Sequence, residues 1–165
     1  YVARGITMTI FFGDGTSQTS AAGASKLLQT VQSSTTTQYD FSSSSYSNTD
    51  FDAAITPSSS SNKILVKCAL CTRAYATNST SLGVRLLRGS TNVYTNNEYH
   101  WHAVNAAINL FYQSYFEFLD SPNTTSSTTY TIAGARYRTS NGTQLASINP
   151  VSGQTSFIIL QEVVV

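Results

Sequence analysis

Charge is scarce in this sequence. Only 10% of its residues are Asp, Glu, Lys or Arg, and they nearly cancel at a formal +1; about a quarter is usual for a globular domain. The only lysines are Lys26, Lys63 and Lys67, and no basic cluster forms. Nucleic-acid binding draws on clustered cations that displace counterions, so nucleic acid is not an expected partner. Long apolar runs are also missing. No window approaches the ~18 apolar residues of a membrane-spanning helix, so no span is expected. No secretory leader is visible. The chain starts at Tyr1, not Met, which leaves open whether residues precede it.

Cysteine is limited to Cys68 and Cys71. Their C-x-x-C spacing invites a zinc or redox reading. A zinc site needs four ligands, and no second C-x-x-C or H-x-x-x-H exists. A redox pair opens a helix, whereas these two sit in Lys63-Ile-Leu-Val-Lys-Cys-Ala-Leu-Cys-Thr-Arg73, which alternates like a strand. Three apart on a strand, they point to opposite faces roughly 10 Å apart, too far to bridge. They read as free, small hydrophobic residues, which suits assembly in a reducing cytoplasm.

Catalytic residue types are sparse as well. Both histidines lie in one tripeptide, His100-Trp101-His102, and no nucleophile-elbow motif accompanies them. Among the carboxylates, Asp50 and Asp52 share a strand face, but turn or strand-edge solvation explains them better than a glycosidase pair. No enzyme is expected. Asn78-Ser-Thr, Asn123-Thr-Thr and Asn141-Gly-Thr match glycosylation sequons, as chance allows in so Ser/Thr-rich a chain.

What is abundant is Ser and Thr, roughly 29% of the chain, together with 12% aromatics. Hydroxyls supply the solvation that charges usually give. Disordered chains lack aromatics, and Thr, Tyr, Phe, Val and Ile suit a pleated surface. Residues 1–25 differ from the rest. An apolar stretch leads to Gly13-Asp-Gly15, then to Ser20-Ala-Ala-Gly-Ala-Ser25, and the segment reads as an N-terminal arm. From Lys26 to the end, strands and polar turns alternate. Strands are expected at Lys26–Gln32, Gln38–Phe41, Thr49–Thr56, Lys63–Ala76, Leu82–Arg88, Asn92–Thr95, Asn109–Leu119, Thr128–Tyr137, Gln144–Ile148 and Thr155–Val165. Arg88-Gly-Ser-Thr91 and Ser140-Asn-Gly142 read as hairpin turns. Phe157-Ile-Ile-Leu-Gln-Glu-Val-Val-Val165 is apolar on both faces, so it should be a central strand buried on both sides, within the fold or at an oligomer interface. The expected fold is all-β: a jelly-roll-like β-sandwich over residues 26–165 with a short N-terminal arm.

Several phrases carry a resemblance. Ile55-Thr-Pro-Ser-Ser-Ser-Ser-Asn-Lys-Ile-Leu-Val66, Leu86-Leu-Arg-Gly-Ser-Thr91, Phe118-Leu-Asp-Ser-Pro-Asn-Thr-Thr-Ser-Ser-Thr-Thr-Tyr130, Phe157-Ile-Ile-Leu-Gln-Glu162 and Lys26-Leu-Leu-Gln-Thr-Val-Gln32 resemble, in order and spacing, the C-terminal head domains of tailed-phage fibre and virion proteins of marine and cyanobacterial type. The resemblance implies a β-sandwich head on a virion appendage, usually a homotrimer. It does not imply a characterised ligand. The expected function is a fibre head assembled in the host cytoplasm and displayed on the virion surface, which meets other virion proteins through residues 1–25 and contacts the host surface or its glycans. The alternative is a capsid decoration or cement protein gripping the shell through the same arm. A fibre head would continue the arm into a shaft.

Two readings fall on one stretch, taken as a loop after Asn92–Thr95. Tyr94, Asn97, Tyr99 and Trp101 offer aromatic faces beside amide groups, the pairing that sugar recognition uses. The same aromatics would equally fill the core or a subunit interface. His100 and His102 face one side if the stretch is a strand. One chain cannot close a metal site with them, but three copies around a trimer axis supply six nitrogens, enough for an octahedral transition-metal site. The resemblance supports this idea, since similar pairs hold metal on some fibre tips; a solvated or packed aromatic loop is the other reading. No further cofactor is expected.

Overall fold

The computed structural model describes residues 10–11, 17–18, 26–76, 79–102, 107–139 and 144–164. Among them there are strands and turns and no helix. β1 (Ile10–Phe11) and β2 (Ser17–Gln18) pair with each other as a separate two-stranded sheet. The rest of the expected arm, residues 1–25, lies outside the described residues.

Ten strands make the sandwich: β3 (Lys26–Thr35), β4 (Tyr39–Phe41), β5 (Ser47–Ile55), β6 (Lys63–Ala76), β7 (Thr80–Arg88), β8 (Thr91–His102), β9 (Ile108–Asp120), β10 (Thr128–Thr139), β11 (Gln144–Ile148) and β12 (Ser156–Val164). All pairings are antiparallel. One sheet runs β5-β10-β7-β8. In the other, β3-β12-β6-β9 run side by side, and β11 and β4 continue past the end of β12 along the same edge of β6. Thus β6 pairs β12 over Lys63–Ala69 and β11 over Thr72–Ala76, while β9 follows its opposite edge throughout. The chain crosses between sheets after β4, β5, β6, β8, β9 and β10. A four-stranded and a six-stranded sheet with this alternation make a jelly roll, as expected.

The sheets form because their strands alternate. Along β6, every second residue from Ile64 to Ala76 is buried and the residues between are half-exposed. Ile64, Val66, Cys68 and Leu70 meet Leu82, Val84 and Leu86 of β7, Tyr130 and Ile132 of β10, and Ile158 and Leu160 of β12 in one core. Cys68 is buried, Cys71 lies on the opposite face, and both are free. β12 is central in its sheet, between β3 and β6. Its Ile158, Leu160 and Glu162 are fully buried, but Phe157, Ile159, Gln161 and Val163 are only half-buried, so one chain covers a single face of this strand.

β8 departs from expectation. The strand does not stop at Thr95 but runs to His102, paired with β7 throughout. The Asn-rich stretch that reads as a loop is held by a bulge. Val84 pairs Asn96 and Leu82 pairs His100, so β8 spends more residues than β7 over this interval. Gly89, with φ of 55°, makes the two-residue turn between Arg88 and Thr91.

Candidate functional site

The bulge decides where the aromatic residues of β8 go. Tyr94 faces the second sheet and stacks on Phe116 of β9, with centroids 4.8 Å apart. The extra residues then let Tyr99 and His100, neighbours in sequence, both pack inward. Tyr99 meets Phe116 edge-on at 5.9 Å and lies 5.0 Å from the His100 ring. Burial raises the Tyr99 phenol well above its usual range. Asn97 goes the other way. Its Oδ1 accepts from the Tyr46 hydroxyl at 2.8 Å, and Arg85 stacks over the Tyr46 ring at 3.8 Å. Of the expected sugar-binding set, Tyr94 and Tyr99 therefore fill the space between the sheets, and Asn97 is not brought beside them. The Trp101 side chain lies outside the described residues.

His100 bridges the two sheets. Its Nδ1 is 2.6 Å from the Thr72 hydroxyl of β6, and its Nε2 meets the Ser114 hydroxyl of β9. Thr72 Oγ1 also donates to the Tyr112 carbonyl at 3.3 Å. This makes Thr72 the acceptor for Nδ1–H and leaves Nε2 to accept from Ser114, a neutral imidazole. Tyr112 covers the ring at 4.3 Å. Burial lowers the pKa of His100 from 6.5 to about 4. A metal ion at His100 would have to displace one of these hydroxyls. The His102 side chain lies outside the described residues, and among the described residues no three His, Cys, Asp or Glu side chains cluster to hold a metal.

The carboxylates have structural partners. Asp120 receives Arg88 Nη1 at 2.8 and 2.9 Å and the Tyr130 hydroxyl at 2.6 Å. Glu162 receives Asn62, Gln29 and both donors of Ser58. Asp40 accepts from Ser147 and lies 3.8 Å from Arg73. Asp50 accepts from the Tyr39 hydroxyl. Asp52 is exposed.

The arrangement that stands out as available to a partner is the outward face of β12, β6 and β9. Cross-strand pairing places Tyr115 beside Ala69 and Phe157, Leu119 beside Leu65, and Phe111 beside Arg73. Tyr115 is 67% exposed, Phe111 47% and Leu119 45%. A shallow cleft of about 190 Å³ opens among Lys67, Ala69, Tyr115, Glu117, Phe157 and Ile159. Lys67 and Glu117, opposite each other in register, form an ion pair at 3.5 Å across its rim. The apolar outward side of β12 was legible in the sequence. The outward ladder of β9 was not singled out, although Phe111, Tyr115 and Leu119 recur at even spacing opposite Leu110, Phe116 and Phe118.

No protein-family model and no curated protein sequence matches this chain. Among solved structures it has a similarity to a chain in the structure of infectious bursal disease virus, Gx strain, at 14% identity and a TM-score of 0.35. The similarity covers 93% of this chain and 43% of that one. The jelly-roll assignment rests on strand order and register, independently of that similarity.

Proposed function

We propose that this chain is a virion surface structural protein: the head domain of a fibre that contacts the host surface, working as a homo-oligomer, a trimer by the resemblance noted above. The observation that supports the reading is the outward face of β12, β6 and β9. The core is complete without it, yet the face is apolar and its central charges are closed on each other as Lys67–Glu117. Such a face belongs to a protein that works in an assembly, since a contiguous exposed apolar patch marks an interaction site. Asp40, Asp120 and Glu162 hold loops and sheets together, and the low-charge, hydroxyl-rich surface suits polar receptors such as glycans without selecting an ionic one.

Immunogold electron microscopy of the particles that carry the chain tests this. Antibody against residues 26–165 should label appendage tips. Uniform labelling of the shell would instead make it a capsid decoration protein, and unlabelled particles would remove the virion reading altogether.

A further inference from the structure

We infer that Arg85, with Tyr46, Thr95 and Asn97, binds an acidic sugar, one whose ring carries a carboxylate among its hydroxyls. The four residues meet on the outward face of the smaller sheet. The inference rests on the host-contact part of the reading above and names the class of glycan.

Arg85 differs from its counterparts. Arg73, Arg88 and Arg136 each donate to an oxygen of the chain. Arg85 donates to none among the described residues, and no carboxylate there lies within ion-pair distance of it. It lies instead over the Tyr46 ring at 3.8 Å. Its Nε is shut off from water without an acceptor, which leaves the two terminal nitrogens to do the bonding. A guanidinium stacked on a ring keeps these in-plane N–H groups free, in the fork that fits a carboxylate. Stacking also fixes the side chain in advance, so less freedom is lost when a ligand binds.

Tyr46 is itself held in place. Gly83 of β7 has no side chain, and the Tyr46 hydroxyl lies against it, where a Cβ would collide. The hydroxyl donates to Asn97 Oδ1 at 2.8 Å. That bond orients the Asn97 amide and leaves its Nδ2 without a partner among the described residues. Thr95 stands opposite Arg85 in register and is exposed. Its hydroxyl accepts from Asn92 Nδ2 at 2.7 Å, so its own O–H is left to donate. One tyrosine thus sets a guanidinium and an amide on the same outward surface, each with donors to spare.

These donors select a sugar acid. The cross-strand neighbours of Arg85 are Ala133 and Thr95, so the positive charge stands alone. Phosphorylated and acidic peptides are held by clusters of arginine. A single fork takes a single carboxylate, and Asn97 Nδ2 and the Thr95 hydroxyl suit the hydroxyls of the same ring. The surface as a whole favours no ionic receptor, and Arg85 is the local exception. Asn97, one of the residues expected to bind sugar, serves here with Tyr46 in place of Tyr94 and Tyr99.

NMR titration of the whole chain tests the inference, with trigalacturonate, sialyllactose, their carboxyl-reduced neutral counterparts and acetate as probes. At least one acidic sugar should shift the amide signals of Gly83, Arg85 and Asn97, and its neutral counterpart should bind about tenfold more weakly. Arg85→Gln should weaken the acidic sugar to the level of the neutral one, and Lys26→Gln, on the other sheet, should leave binding unchanged. Acidic and neutral sugars binding alike, or an acidic sugar binding Arg85→Gln as it binds wild type, overturns the inference and leaves the host-contact reading standing. Acetate binding as tightly as the acidic sugars overturns the sugar assignment. If Arg85→Gln does not fold, the wild-type map decides: shifts at β7 and β8 support the inference, and shifts confined to other strands overturn it. No shift with any probe overturns the inference alone, because immunogold labelling decides the host-contact reading independently.

Discussion

Glu162 and Asp120 lie in one cross-strand row of the larger sheet, on either side of Ile64, and both are turned to the interior. They are stabilised by opposite means. Asp120 is held by the Arg88 guanidinium, which reaches over from the other sheet, and by the Tyr130 hydroxyl. Glu162 is held by neutral donors: Asn62 Nδ2 and Gln29 Nε2 at 2.6 Å each, Ser58 N at 2.7 Å and Ser58 Oγ at 2.8 Å. Among the described residues no cation lies within ion-pair distance of Glu162. The row closes one end of the sandwich. Glu162 ties the loop between β5 and β6 and the edge strand β3 to β12, while Asp120 ties β9 to β7 and β10.

Glu162 makes the fold sensitive to acid. Burial opposes its ionisation, but hydrogen bonds from Asn62, Gln29 and Ser58 outweigh burial and lower the pKa from 4.5 to about 2. The unfolded chain therefore binds this proton more readily than the folded one. The stabilisation is fully present above pH 4.5 and is lost as pH falls towards 2. Glu162→Gln places an amide N–H₂ among donors and should cost about 2–3 kcal/mol at pH 7. Urea unfolding from pH 7 to pH 2.5 should show wild type losing stability below 4.5 and the variant showing a shallower loss there. Parallel curves would refute the assignment.

Asp120 gives the contrasting case. Arg88→Met removes its cation and leaves a buried carboxylate with the Tyr130 hydroxyl, at an expected cost of about 3–5 kcal/mol. Adding Asp120→Asn removes the stranded charge, so the double variant should regain most of that loss. A double-mutant cycle by chemical denaturation measures the coupling, and additive losses would mean that the pair is not the unit described.

Much of this architecture was legible in the sequence. β6 and β11 have the bounds expected of them, because β6 alternates without a fault and polar stretches of sequence flank both. The inward faces of β7 and β9 follow from the same two-residue period. β8 was legible only as far as Thr95. Asn96-Asn97-Glu98 are weak strand formers, and what holds them in a strand is pairing with β7 across a bulge, which local propensity cannot show. That bulge also turned the candidate sugar-binding residues. Simple alternation sends Tyr99 and His100 to opposite faces, whereas both pack inward. The row of Gln29, Glu162, Ile64 and Asp120 depends on the register of four strands distant in sequence, and no spacing within the chain encodes it.

His100 adds a second pH window above that of Glu162. Burial lowers its folded-state pKa to about 4 from 6.5, so the unfolded chain again takes up the proton first. Its contribution is present above pH 6.5 and is lost as pH falls through 4. His100→Phe keeps an aromatic ring between Tyr99 and Tyr112 but leaves the Thr72 and Ser114 hydroxyls without the imidazole. It should lower stability at pH 7.5 by about 1–3 kcal/mol, and flatten the dependence between pH 6.5 and 4. Metal content of the purified oligomer should not change in this variant. A loss of bound metal would place a metal ion at His100 and contradict the hydroxyl bridge.

Two glycines in the smaller sheet separate rigid packing from adjustable packing. Gly134 of β10 faces the Phe41 ring so closely that an added methyl would overlap it, and Phe41 is itself buried in the core on β4. Neither side can yield, so Gly134→Ala should cost about 1–3 kcal/mol by overpacking. Gly83 of β7 lies under the Tyr46 hydroxyl, the far end of a half-buried side chain following a Ser-rich loop, and an added Cβ would sit 3.3 Å from the Asn97 carbonyl. There the ring can swing outward, at the loss of its hydrogen bond to Asn97, so Gly83→Ala should cost less than Gly134→Ala. Phe41→Leu combined with Gly134→Ala should recover part of the larger loss, because the smaller side chain leaves room for the methyl. Thermal unfolding of the three variants checks the order. If Gly134→Ala melts at the wild-type temperature, Phe41 does not pack on β10 as described.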